Sequence, residues 1–206
     1  MKNIHSQETG RSMVEMLGVL AIIGVLSVGG IAGYSQAMSK FKVTKTTDQI
    51  QTMVTNIRTL FSTQRTYSGV GDGAMMYTTG IYTDEMCADN TCSKPVNPFG
   101  GDIKVGSLTF KNAANKAFYV VYMGLPADAC TRLLMQSWGD ASSGLYAVQG
   151  GSADTVTPTI VDSSNENSVH LTQDANQVKT SVPWGLTQAA AACGSGSKSY
   201  IALYFR

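Results

Sequence analysis

A chain of 206 residues has room for one domain of ordinary size with an appended anchor, which rules out a multidomain machine. Charged residues make up only 14% while 43% are hydrophobic, excluding a highly charged disordered chain, and 15 basic against 14 acidic residues lack the basic surplus that binding to a phosphate backbone draws on. With two histidines, His5 and His170, no multi-histidine metal site can be built, and a Ser/His/Asp arrangement could use only His170.

The apolar residues are concentrated at the amino terminus. Met16 to Tyr34, MLGVLAIIGVLSVGGIAGY, is nineteen residues without a charge. As a helix it extends about 28 Å at ~1.5 Å per residue, close to the ~30 Å hydrocarbon thickness of a bilayer. Three readings fit: a permanent anchor, a removable secretory signal cut near Ser35-Gln36-Ala37, and a segment that is first an anchor and later something else. Lys2 and Arg11 precede the span and Lys40, Lys42 and Lys45 follow it, so basic residues do not fix its orientation.

An amphipathic helix is predicted to follow without interruption. The first proline is Pro95, and Met38, Phe41, Ile50, Met53, Val54, Ile57, Leu60 and Phe61 include the i, i+3, i+4, i+7 spacing of one helical face. A continuous helix from Met13 to Phe61 would extend roughly 73 Å, far more than a domain of this size needs internally, so part of it must protrude. Gly18, Gly24, Gly29, Gly30 and Gly33 lower helix propensity in the apolar half and permit close packing there.

At the amino-terminal edge of that half stands Gly10-Arg11-Ser12-Met13-Val14-Glu15, a glycine followed after four residues by a lone carboxylate. An unpaired charge in hydrocarbon is strongly disfavoured, so such a residue has a partner or a function. The segment resembles the class III signal of type IV prepilins. That resemblance implies cleavage between Gly10 and Arg11 by a dedicated peptidase and methylation of the new amine at Arg11. It also implies that Glu15 neutralises the amine of a neighbouring subunit during filament growth. Opposite charges attract strongly in low dielectric, which offsets part of their desolvation and fixes register. Arg11 departs from the phenylalanine, methionine or leucine general in the family, and on a helix it lies four residues from Glu15, where the two could pair within one subunit.

Beyond the helix, Gly69-Val70-Gly71-Asp72-Gly73 lacks the Gly-Lys-Ser/Thr of a phosphate loop and reads as a flexible turn. The Ser/Thr-rich stretches Thr66 to Gly101 and Ala141 to Lys179 read as loops that face outward or contact neighbouring subunits, with Asp84, Glu85, Asp154 and Asp162 as solvated carboxylates. Methionines such as Met75 and Met76 read as fillers of packing gaps. Val105 to Phe110, Phe118 to Met123, Leu145 to Val148 and Tyr200 to Phe205 are β-branched or aromatic runs bounded by turn residues, as strands are. Pro126 suits the first turn of a helix carrying Cys130, Leu133, Leu134 and Trp138 on one face. The elements sum to an α+β fold.

Four cysteines, Cys87, Cys92, Cys130 and Cys193, allow three complete pairings and fit an oxidising compartment. One zinc among them has poor spacing, because neither Cys130 nor Cys193 belongs to a close pair.

In order along the chain, Asn97-Pro98-Phe99-Gly100, Lys111 to Phe118, Gly124-Leu125 and Ala129-Cys130-Thr131-Arg132-Leu133-Leu134 resemble the globular domain of type IVb major pilins of the toxin-coregulated pilus type. The likeness covers residues 10 to about 140 and returns at Cys193. It implies a long N-terminal helix packed on an antiparallel sheet, and a disulfide from Cys130 to Cys193. Cys87 and Cys92 are additional to that pattern, and a link between them would close a short loop.

The resulting division is a leader at 1–10, a long helix at 11–61 and a globular α+β head at 62–206. The expected function is structural, with no catalytic set, cofactor or metal: a subunit that forms a homo-oligomeric filament, with a prepilin peptidase and assembly machinery as partners. The bacterial inner membrane holds the precursor with its head in the periplasm, and the filament is an extracellular pilus serving adhesion or cell aggregation. A type II secretion pseudopilin, a minor pilin and a single-pass binding protein are the alternatives. The sequence names no external receptor.

Overall fold

No proline stands before Pro95, and the first helix accordingly runs as a single element, α1 (Met13–Phe61), through all five of its glycines. The computed structural model describes residues 13–71, 73–87, 89, 91–110, 113–140, 142–153, 160–162, 169–171, 178–179, 183–196 and 198–206. After α1 come α2 (Gly73–Thr78), β1 (Ile103–Phe110), β2 (Ala113–Leu125), α3 (Ala127–Leu134), β3 (Leu145–Gly151), β4 (Ile160–Asp162), β5 (Val169–Leu171), β6 (Val178–Lys179), α4 (Leu186–Cys193) and β7 (Ser199–Phe205). Two units result, one ending at Lys40 and the other running from Phe41 to Arg206. Phe41–Phe61 of α1 therefore belongs to the head.

In the head, α1 buries Ile50, Met53, Val54, Ile57 and Phe61, the stripe that 3.6-residue periodicity puts on one face. The same cluster contains Val105, Val120, Leu203 and Val148, which the strand register sets in one row across β1, β2, β7 and β3. Each large side chain fully buried there contributes about 1.5–3 kcal/mol. Alternation puts Val121, Ala202, Tyr204 and Ala147 on the opposite sheet face, where a second cluster forms.

The sheet is antiparallel throughout, in the order β1-β2-β7-β3-β6, with β4 and β5 forming a separate pair. The strand last in sequence, β7, thus occupies the middle, and every one of its residues is buried. On its outer face Gln149 links two tyrosines of β7: its Nε2 donates to the Tyr200 hydroxyl at 3.0 Å, and its Oε1 accepts from the Tyr204 hydroxyl at 2.6 Å.

Three expectations need correction. The loop from Thr66 to Gly101 does not simply face outward: it carries α2 and inserts Val70, Met76, Ile81, Tyr82, Met86 and Cys92 into the core, because α1 and the sheet leave one flank of the apolar cluster open. Trp138 does not extend the face of α3, which ends at Leu134; its indole Nε1 instead folds back to donate to the Leu133 carbonyl at 2.7 Å, satisfying a helix-terminal acceptor. Asp84 and Glu85 are exposed but not merely solvated, since the Tyr77 hydroxyl donates to Asp84 at 2.9 Å and Glu85 pairs with Lys45 at 2.6 Å. Between Ala141 and Thr187, where the sequence offered one strand signal, the described residues form β3, β4, β5 and β6.

Candidate functional site

Met13–Lys40 of α1 is apolar on every side. Leu17, Val25, Leu26, Val28 and Ile31 are each at least 65% exposed, and beyond the adjoining helix backbone nothing lies within 4 Å of a Cβ placed on any of the five glycines. The best 18-residue window has a mean hydropathy of 2.2. A soluble helix hides one stripe in its own core; this one has none hidden, so it must be covered by lipid or by other protein. Its single acid, Glu15, lies exposed in the first turn, where a carboxylate also complements the helix dipole. Gly10 and Arg11 lie outside the described residues.

Two disulfides hold the head. Cys130 of α3 and Cys193 of α4, both buried, are bridged with Cα atoms 5.9 Å apart, 63 positions from each other in sequence. Cys87 and Cys92 are bridged with Cα atoms 4.9 Å apart, closing a short loop in which Cys92 is buried. Among the described residues no three His, Cys, Asp or Glu side chains are grouped to hold a metal ion. His5 lies outside the described residues, and β5 carries His170.

Within the head, two lysines of α1 fasten the disulfide-bearing loop. Lys45 pairs with Glu85, and Lys42 sits 5.6 Å from the centre of the Phe99 ring. Asn97, beside Phe99, is buried and bonds outward in three directions: its Nδ2 donates to the Met123 carbonyl, and its Oδ1 accepts from the amides of Phe99 and Gly101. Gly101 packs so closely on Met123 that no Cβ fits between them. The Asn97-Pro98-Phe99-Gly100 motif therefore ties the loop before β1 to the end of β2.

Sequence reasoning did not single out Arg58. Its guanidinium lies 4.9 Å from the centre of the Phe205 ring, and its Nη2 is buried with no hydrogen-bond partner among the described residues. Burial pulls its pKa below the ordinary arginine value, opposed by Tyr67. It borders an open cleft of about 280 Å³ formed by α1, the loop from Trp138 to Ser143 and the end of β7. A lone arginine in a helical pattern gives no signal for this, because the cleft is built from segments far apart in sequence.

A long apolar amino-terminal helix, followed by an antiparallel sheet with its last strand in the middle and a stapled carboxyl-terminal helix, defines the fold of a type IV pilin. The crystal structure of TcpA, a type IV pilin from Vibrio cholerae El Tor biotype, aligns over 80% of this chain and 99% of its own, with a TM-score of 0.50 at 16% identity. Residues 36–187 match the Bundlin family model, and the chain belongs to that family. It is 27% identical over 198 residues to the major structural subunit of bundle-forming pilus from Escherichia coli O111:H-, covering 96% of this chain and 94% of the relative. The toxin coregulated pilin of Vibrio cholerae is 25% identical over 156 residues, covering 73% and 68% respectively.

Proposed function

We propose that this chain is the structural subunit of a type IVb pilus, made as a membrane precursor and polymerised through its apolar helix. The observation that carries the proposal is the pilin head joined to a helix whose first half is exposed on all sides and holds one carboxylate. The chain is a structural protein and not an enzyme, and it assembles into an extracellular pilus. Residues 1–10 are a leader removed by a prepilin peptidase between Gly10 and Arg11, with Arg11 as the methylated amino terminus. Residues 11–61 then form the mature helix and 62–206 the rest of the head.

Before assembly the apolar half lies in the inner membrane with the head in the periplasm, and lipid contact is then replaced by contact with other copies of the helix. Transfer between two apolar surroundings changes little hydrophobic energy, so packing at the glycines and the pairing of charges set register. Glu15 meets the amine of a neighbouring subunit. The low surface charge suits self-association of filaments, in keeping with a role in adhesion or cell aggregation.

The test is the intact mass and amino-terminal sequence of protein sheared from the surface of the native cell. A start at Arg11, with or without a methyl group, supports prepilin processing. A start at Met1 or Met38 would replace the pilus with an anchored or freely secreted protein.

A further inference from the structure

Asp48, Gln51, Thr55 and Arg58 follow one another along α1 at spacings of three, four and three residues, which places them in one stripe of the helix beside its buried face. Gln51 and Thr55 are exposed, and so is Asp48, which has no ion pair among the described residues. At the other end of the stripe Arg58 likewise has no carboxylate partner among the described residues, although one of its nitrogens is enclosed. The half-buried guanidinium lines an open cleft, and such a planar donor is shaped to take a carboxylate there. The cleft is flanked by the rings of Trp138 and Phe205, which would shield such a pair from water.

We propose that the Arg58 cleft receives Asp48 from a second copy of this chain, so that the stripe is a head-to-tail contact between neighbouring subunits. The argument is charge complementarity: one surface carries an unpaired acid at its amino-terminal end and an unpaired base about 15 Å further along the helix. Two parallel copies staggered by that distance bring acid to base, and the free base of the second copy is left for a third. Such a head-to-tail contact propagates rather than closes, as a filament requires. Gly144 packs directly on the guanidinium, since a Cβ there would lie 2.8 Å from Nη2 of Arg58.

This inference rests on the structural-subunit reading, and its test separates the two. The variants Arg58→Glu, Asp48→Arg and the double reversal are made in the full chain, beside the wild type in its native cell. Sedimentable filament is measured against total disulfide-bonded subunit. Each single reversal is expected to lose about tenfold or more of the filament, and the double to recover most of it. Wild-type yield from either single variant, or a double no better than the singles, would overturn the pairing. Should Arg58→Glu fail to accumulate, Arg58→Gln and Asp48→Asn serve instead. Filaments of these that withstand high salt like the wild type would also overturn it, whereas early dissociation supports it. Absence of filaments from the wild type would overturn the subunit reading itself.

Discussion

The side-chain amide of Asn97 donates to the backbone carbonyl of Met123 across 2.7 Å, joining the loop before β1 to the end of β2. Asn97 is only 4% exposed, and its own carbonyl accepts from Phe99 at 2.9 Å and from Gly101 at 3.2 Å. Replacing it with alanine would leave three backbone groups without their partner in a place water barely reaches. The expected loss is about 2–3 kcal/mol, because an orphaned buried group costs more than an average hydrogen bond contributes. Urea unfolding of the oxidised subunit checks this, and Asn97→Asp, which sets an acceptor against the Met123 carbonyl in a buried place, should lose at least as much.

The two disulfides should differ in their effect on stability. In the chain-entropy model the Cys130–Cys193 bridge, 63 positions apart, contributes roughly 4 kcal/mol, and the Cys87–Cys92 bridge, 5 apart, roughly 2 kcal/mol. Paired alanine substitutions are therefore expected to leave a head without the long staple the less stable of the two. Denaturant midpoints under non-reducing conditions decide the order, and equal midpoints would mean that native-state packing outweighs loop closure here.

The elements legible in the sequence were those that carry their own period or punctuation. The stripe from Ile50 to Phe61 repeats at helical spacing, and the runs ending in Phe110 and Phe205 are β-branched or aromatic between turn residues, so each shows itself without its partners. Other elements depend on distant segments. Met76 and Tyr82 are drawn into the core by an apolar flank that the sheet and α1 leave open, although Gly, Thr and Asp interrupt the segment around them. The strands β4, β5 and β6 span three, three and two residues, too short for any period to be seen. At the assembly helix Glu15 stood out because a charge in an apolar run is conspicuous. Arg58 did not, because its neighbours Trp138 and Phe205 are known only from the fold.

Glu15 offers a prediction on assembly. In the exposed apolar half of α1 it has no apolar shelter of its own, so its substitution should leave folding of the head unchanged. On the proposed pairing of Glu15 with a neighbour's amine in the filament, its loss would leave that amine unpaired in an apolar interior, at a cost of about 3–5 kcal/mol per contact. Glu15→Ala and Glu15→Gln are thus expected to accumulate as normal, disulfide-bonded subunits that make little or no filament. Immunoblotting of sheared and cell-bound fractions distinguishes this from simple instability. Normal filament yield from Glu15→Gln would show that the carboxylate charge plays no part.

Alkaline pH gives a separate check on the core. Burial pushes the hydroxyls of Tyr82, Tyr122 and Tyr204 well above the ordinary tyrosine pKa. Tyr82 is raised further by Tyr119, Tyr122 by Tyr82, and Tyr204 by Tyr200 and Tyr119. Tyrosines in the unfolded chain release their protons near pH ~10, whereas these three keep theirs in the fold. Above that pH the unfolded state binds fewer protons than the native state, so stability falls as pH rises, and it is fully present below it. With all three contributing, the slope approaches roughly 4 kcal/mol per pH unit. The hydroxyls of Tyr82, Tyr122 and Tyr204 should therefore ionise together with unfolding, so that the rise in their phenolate absorbance coincides with the loss of circular dichroism. Complete ionisation of every tyrosine while the dichroism stays native would mean that these three hydroxyls reach solvent in the folded head.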